Sequence, residues 1–117
     1  MLERQIESVV VKWARALGWR VKKMNGVGDR GWPDRLFVGP GFTAFIEFKK
    51  PGARLTPLQE VTIEELAELG QNVAWFADAR EAIDWLKALA AKSLSAQSDA
   101  LDAGARRRRA VSRPRSG

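Results

Sequence analysis

The chain has 117 residues, 45% of them apolar, with five Trp and five Phe; this is material for one compact core and leaves no room for a second domain. The absence of Cys and His excludes disulfides, thiol nucleophiles, ordinary zinc sites and imidazole bases, so only carboxylates, Lys and backbone groups remain for chemistry. The net charge of +6 is uneven: six Arg against Asp99 and Asp102 give residues 93–117 a charge of +4, and residues 1–92 carry only +2. A basic balance favours a polyanionic partner without separating DNA, RNA and acidic membranes.

Over residues 3–17, Ile6, Val9, Val10, Trp13 and Leu17 recur at helical spacing and Gly18 follows as a stop, which predicts an amphipathic first helix. Glu3 falls near the edge of its apolar stripe and can face a buried site, whereas Glu7 lies further toward solvent. Acidic residues in a first turn also simply complement the helix dipole, so Glu3 has a plain structural reading as well. Residues 19–24 read as a short strand, and 25–31, with three glycines, as a loop. Pro33 confines the next strand to positions after it.

Residues 35–38 and 42–50 are β-prone runs separated by Gly39-Pro40-Gly41, the pattern of an antiparallel hairpin. Alternation along the second run puts Phe42, Ala44, Ile46 and Phe48 on one face and Thr43, Phe45, Glu47 and Lys49 on the other. Thr56-Pro57-Leu58-Gln59 combines a capping Thr, Pro at the first helical position and Gln three after the cap, so a helix begins there and ends at Gly70. Residues 72–77 form a further strand, and Asp78-Ala79-Arg80-Glu81 opens a helix carrying Ile83, Leu86 and Leu89.

The fold class that emerges is α/β: a central mixed sheet flanked by helices in the order αβββαβ, with a helix after it. From Ser93 onward, Ala, Ser, Asp and Arg replace apolar residues, so a domain over 1–92 and a disordered Arg-rich tail over 93–117 are expected. That tail is either a nonspecific phosphate grip or a passive solubilising end. No run of ~18 apolar residues could cross a bilayer, and MLERQIES lacks a charged-then-apolar signal pattern, so the expectation is a cytoplasmic protein with no membrane partner.

The sequence carries GWPD at 31–34 and EFK at 47–49, one on each side of the predicted hairpin. As the antiparallel partner returns, Asp34 and Glu47 can meet although they are far apart in sequence, and a hard cation such as Mg²⁺ or Mn²⁺ could bridge them. Lys49 lies on the same face as Glu47, about 6 to 7 Å along the strand. Two carboxylates and a Lys are the minimum for metal-assisted phosphodiester hydrolysis, in which a cation neutralises the phosphate oxygens and activates water. An acid beside a Lys on a strand is by itself usually a solvated salt pair; the combination with GxPD, a closing KPG turn and a T-P-L-Q helix start makes the signal specific. Gln59 stays open between two readings, since a capping Gln that reaches back to the Thr56 amide would be explained by the cap alone. Of the tryptophans, Trp13, Trp75 and Trp85 fall on apolar faces and read as core, and Trp32 in the loop is the one placed for nucleic-acid contact.

At these residues the sequence resembles the VRR-NUC family, a branch of the PD-(D/E)XK nuclease superfamily found in bacteriophage and bacterial proteins and in eukaryotic repair enzymes. The likeness spans roughly residues 2–77 and rests on Glu3, Lys23, the strings GDRGWPDRLF and FIEFKKPGARLTPLQ, and a Gly before the final strand. It implies a PD-(D/E)XK restriction-endonuclease-like core, with Asp34, Glu47 and the backbone carbonyl of Phe48 as ligands of a divalent metal. Lys49 would be the water-positioning or charge-stabilising group, and Glu3 and Gln59 match two further family positions around the metal. Most members have a small or β-branched residue where Trp32 stands, a departure confined to the loop. Lys23, Arg30, Trp32 and Lys50 are the candidate nucleic-acid contacts.

Small standalone members of that family look like Holliday-junction resolvases. The resemblance therefore implies a metal-dependent endonuclease acting on branched DNA, as a homodimer, in a bacterial or phage-infected cell. The competing readings are a nucleic-acid-binding module that kept the fold and lost the metal, and a small protein-interaction subunit whose hairpin faces are only core.

Overall fold

In a computed structural model, residues 1–111 are described apart from Asn25, Val27 and Asp29, with only the helical backbone over 106–111. The elements are α1 (Glu3–Ala16), β1 (Arg20–Lys23), β2 (Arg35–Gly39), β3 (Phe42–Phe48), α2 (Pro57–Glu68), β4 (Asn72–Phe76) and α3 (Ala79–Val111). The four strands form one mixed sheet in the order β1-β2-β3-β4. β1, β2 and β3 run antiparallel in a meander, and β4 pairs parallel to β3 after the α2 crossover.

The alternation read from the sequence decides which side of the sheet is core. Phe37, Ala44, Ile46 and Phe48 project from one face and are buried against Ile6, Val10, Val11 and Ala14 of α1 and against Ala82 and Leu86 of α3. Around that centre, Trp13, Trp19 and Phe42 stack edge to face in a chain, with ring centroids 5.1 and 5.3 Å apart, and Trp85 lies against Phe76. Trp75 points to the other face and is 43% exposed, so its expected place in the core is corrected: it pairs with Glu47, whose side of β3 is not the apolar side. Both predicted helix starts hold. Thr56 accepts from the Gln59 amide, and Asp78 accepts from the Glu81 amide at 2.9 Å.

The largest departure from expectation is at the C-terminal end. α3 does not stop near Leu89 but continues as one helix to Val111, so residues 93–111 are not the disordered tail expected; residues 112–117 lie outside the described residues. Ser93 and Gln97 pack on the hairpin turn: a Cβ built on Gly41 would lie 2.4 Å from Ser93 Oγ and 2.1 Å from Gln97 Nε2. Low apolar content argues against a folded core, but alanine is the strongest helix former, and it recurs at 90, 91, 96, 100, 103, 105 and 110. No helix among the described residues is long and apolar enough to cross a membrane.

Phe37 is wholly buried at the centre of the sheet. Phe37→Ala is expected to destabilise the protein by about 3–5 kcal/mol through lost burial and the cavity left behind, read from the midpoint of urea unfolding.

Candidate active site

The β2–β3 register sets the site. Arg35 faces Ile46, and one residue further toward the strand end Asp34 comes level with Glu47. The Phe48 amide donates to Asp34 Oδ2 at 2.9 Å and ties the end of β2 to β3. Ahead of Asp34 the chain passes close under α2: Gly31 has φ +82°, and a Cβ there would sit 2.6 Å from Leu58 Cγ. Only glycine suits that conformation and that clearance.

Glu3, in the first turn of α1, completes a group of three carboxylates. Glu3, Asp34 and Glu47 each offer an oxygen, and these oxygens all lie within 4.8 Å of one another. Glu47 is 2% exposed. Lys49 Nζ stands 3.7 Å from its Oε2, and Gln59 Nε2 donates to that same oxygen at 3.1 Å. The other oxygen, Oε1, is buried and has no hydrogen-bond partner among the described residues.

Gln59 resolves the choice left open by the sequence, because it does both things. Its Oε1 accepts from the Thr56 amide at 2.9 Å while its Nε2 turns to Glu47. Capping at one end of the amide aims the other end into the site.

The electrostatics are those of anions short of compensation. Burial, and after it the charge of Asp34, pushes the Glu47 carboxyl up to about 8, against the pull of Lys49. Asp34 is also raised, first by burial, with Glu7 and Glu3 adding to it and the Phe48 amide opposing. A divalent cation fits this donor set: three clustered carboxylates, two of them buried, and an orphaned oxygen on Glu47.

A cleft of about 300 Å³ opens over the cluster and is lined by Glu3, Asp34, Glu47, Lys49 and Gln59 together with Arg30 and Trp32. Trp32 is 39% exposed and leans edge-on against Phe45, with centroids 6.0 Å apart. Lys50 borders an adjoining cleft that also contains Glu3 and Asp34. Lys23 is not in the cleft; it lies along α1, around the end of the sheet. Phe48 meets Asp34 through its amide. Glu7, read as solvated, is half-buried and bonded to Arg35 Nε at 2.5 Å. That ion pair spans 28 positions and left no local signal in the sequence.

No family model matches the sequence, and no curated protein does. Among solved structures, a VRR_NUC domain protein superposes with a TM-score of 0.62 over 74% of this chain and 86% of its own, at 18% identity. The chain shares the fold of that VRR_NUC domain protein. At this identity the likeness carries the fold alone.

In this fold, burial of Glu47 links stability to pH. Without a divalent cation the folded protein keeps the Glu47 proton up to about pH 8, whereas the unfolded chain releases it near the ordinary value of 4.5. The folded state then binds more protons across that window, so stability falls as pH rises from about 4.5 to 8, and the raised Asp34 acts in the same direction. Urea unfolding in EDTA at several pH values should show this decline, and Glu47→Gln should flatten it. Mn²⁺ should bind more tightly as pH rises through the same window, because binding displaces protons.

Proposed function

We propose that this protein is a divalent-metal-dependent nuclease that hydrolyses phosphodiester bonds in DNA, with Mg²⁺ or Mn²⁺ as its cofactor. The observation that carries this reading is the convergence of Glu3, Asp34 and Glu47 within 4.8 Å, with Lys49 3.7 Å from Glu47, in an open cleft. The VRR-NUC fold supports it.

Asp34 and Glu47 would hold the cation, with the Phe48 carbonyl as the further ligand that the family resemblance implies. A cation bound there supplies charge neutralisation at the phosphate and activation of water. The remaining steps fall to the chain's own groups. Lys49 brings a positive charge to the side of Glu47 that faces the cleft, where it stabilises charge developing on phosphate or holds the attacking water. Gln59 fixes the orientation of Glu47 through Oε2 and leaves Oε1 for the cation. Glu3 adds a third carboxylate at the edge of the cluster, placed to accept a proton from water.

We further propose that branched DNA such as a four-way junction is the substrate and that the protein acts as a homodimer. One site per short chain requires two copies for paired symmetric cuts. Apolar surface suited to self-association is present on α2 and its C-cap, where Leu58, Val61 and Leu69 are exposed.

The test is cleavage of labelled four-way junction, flap, linear duplex and single-stranded DNA with Mg²⁺ or Mn²⁺. Asp34→Ala and EDTA should each abolish cutting, and Lys49→Ala should lower the rate by about 10²–10³-fold. Gln59→Ala should cost about 10–100-fold in metal affinity or rate. Paired cuts on the junction together with a dimer mass in sedimentation support the resolvase assignment. DNA binding without any cutting would replace the nuclease reading with that of a binding module.

A further inference from the structure

Beyond the carboxylate cleft, the described residues hold a second concentration of charge, of opposite sign. Arg4, Lys12 and Arg15 recur along one side of α1, and Lys23 of β1 and Arg35 of β2 face them across a furrow. Glu7 is the acidic residue of its lining, and it is committed to Arg35. Arg4, Lys12, Arg15 and Lys23 are exposed, and none of them takes part in an ion pair among the described residues. Four solvated cations aligned on one wall and floor, with the one acidic residue of the described lining neutralised, leave the furrow positive.

This furrow adjoins the carboxylate cleft through an intermediate cleft that shares lining residues with each. Arg4 and Glu7 also border the intermediate cleft that contains Glu3, Asp34 and Lys50, and Glu3 and Asp34 in turn line the main cleft. The three clefts therefore follow one another from the carboxylate cluster, around the N-terminus of α1, and along that helix to Arg15. From Arg4 to Arg15 the helix spans about 17 Å, a length over which one strand of a duplex presents about five phosphates.

We propose that the α1 furrow, through Arg4, Lys12, Arg15 and Lys23, is the track that grips the phosphate backbone of the DNA substrate and leads one strand to Asp34 and Glu47. This rests on the nuclease reading for its substrate. Charge complementarity and adjacency to the cleft select the occupant. Contacts of this kind position a strand and carry no sequence information, as expected for a protein that chooses DNA by shape. The arrangement also explains why Lys23 lies away from the cleft: it serves phosphates further along the strand.

The test compares Lys12→Ala/Arg15→Ala with a control that removes the same charge elsewhere, Arg80→Ala/Lys87→Ala on the exposed side of α3. Binding of a labelled DNA duplex is measured in EDTA across roughly 50 to 200 mM salt, for two unrelated duplex sequences. The furrow variant should bind both duplexes more weakly, with a slope of log affinity against log salt shallower by about 2, and the control should match wild type. Equal losses in the furrow variant and the control, or none in either, would overturn the track. Cleavage by wild type with Mn²⁺ is scored separately. A furrow-specific binding loss in a protein that cuts nothing removes the nuclease reading and leaves the furrow as a nucleic-acid grip.

Discussion

The hydrogen bond from the Phe48 amide to Asp34 holds two carboxylates side by side where neither is well solvated. Two buried anions in contact are costly, and the rest of the site is an answer to that cost. Lys49 brings a charge to one oxygen of Glu47 and Gln59 brings a donor to the same oxygen, while the second oxygen has no hydrogen-bond partner among the described residues. Among the described residues Glu47 is compensated on one oxygen only. A divalent cation of the kind proposed for this cluster would complete what those side chains do not.

Holding that geometry falls to a small number of backbone constraints. The hairpin register brings Asp34 level with Glu47, and a slip of one residue would turn Glu47 into the core and Phe48 out of it. The hairpin is in turn held down by α3, whose Ser93 and Gln97 close on Gly41 at the turn. On the other side, Gly31 lets the GWPD loop pass under Leu58, so the start of α2 and the end of that loop share one narrow space. Gln59 then reaches the cleft from the first turn of α2. The aromatic chain from Trp13 to Phe42 anchors α1 on the sheet, and with it the position of Glu3.

Charge is divided between the faces in the way the proposed DNA substrate would require. Anions are concentrated at one point, where a cation can reverse their sign, and cations are spread along α1 where a backbone can lie. The overall charge of +6 conceals this arrangement, because residues 1–92 carry only +2 and the basic residues of the furrow are set apart by alignment rather than by number.

Much of this was legible in the residues. Period-two alternation along 42–48 assigned Phe48 to the core face and Glu47 to the other, and the capping patterns at Thr56 and Asp78 placed two helix starts, because these signals act between near neighbours in the chain. The absence of His and Cys confined chemistry to carboxylates and Lys before any geometry was known. Other features were decided only by the tertiary structure. The course of α3 beyond Leu89 followed alanine propensity and contact with the hairpin turn rather than apolar content. The dual use of the Gln59 amide, the exposure of Trp75 and the union of Glu7 with Arg35 depend on distances between segments distant in sequence. Local pattern determines which way a side chain leaves its own strand or helix. What it meets there is set by the packing of the other elements, and no short stretch of this chain encodes that.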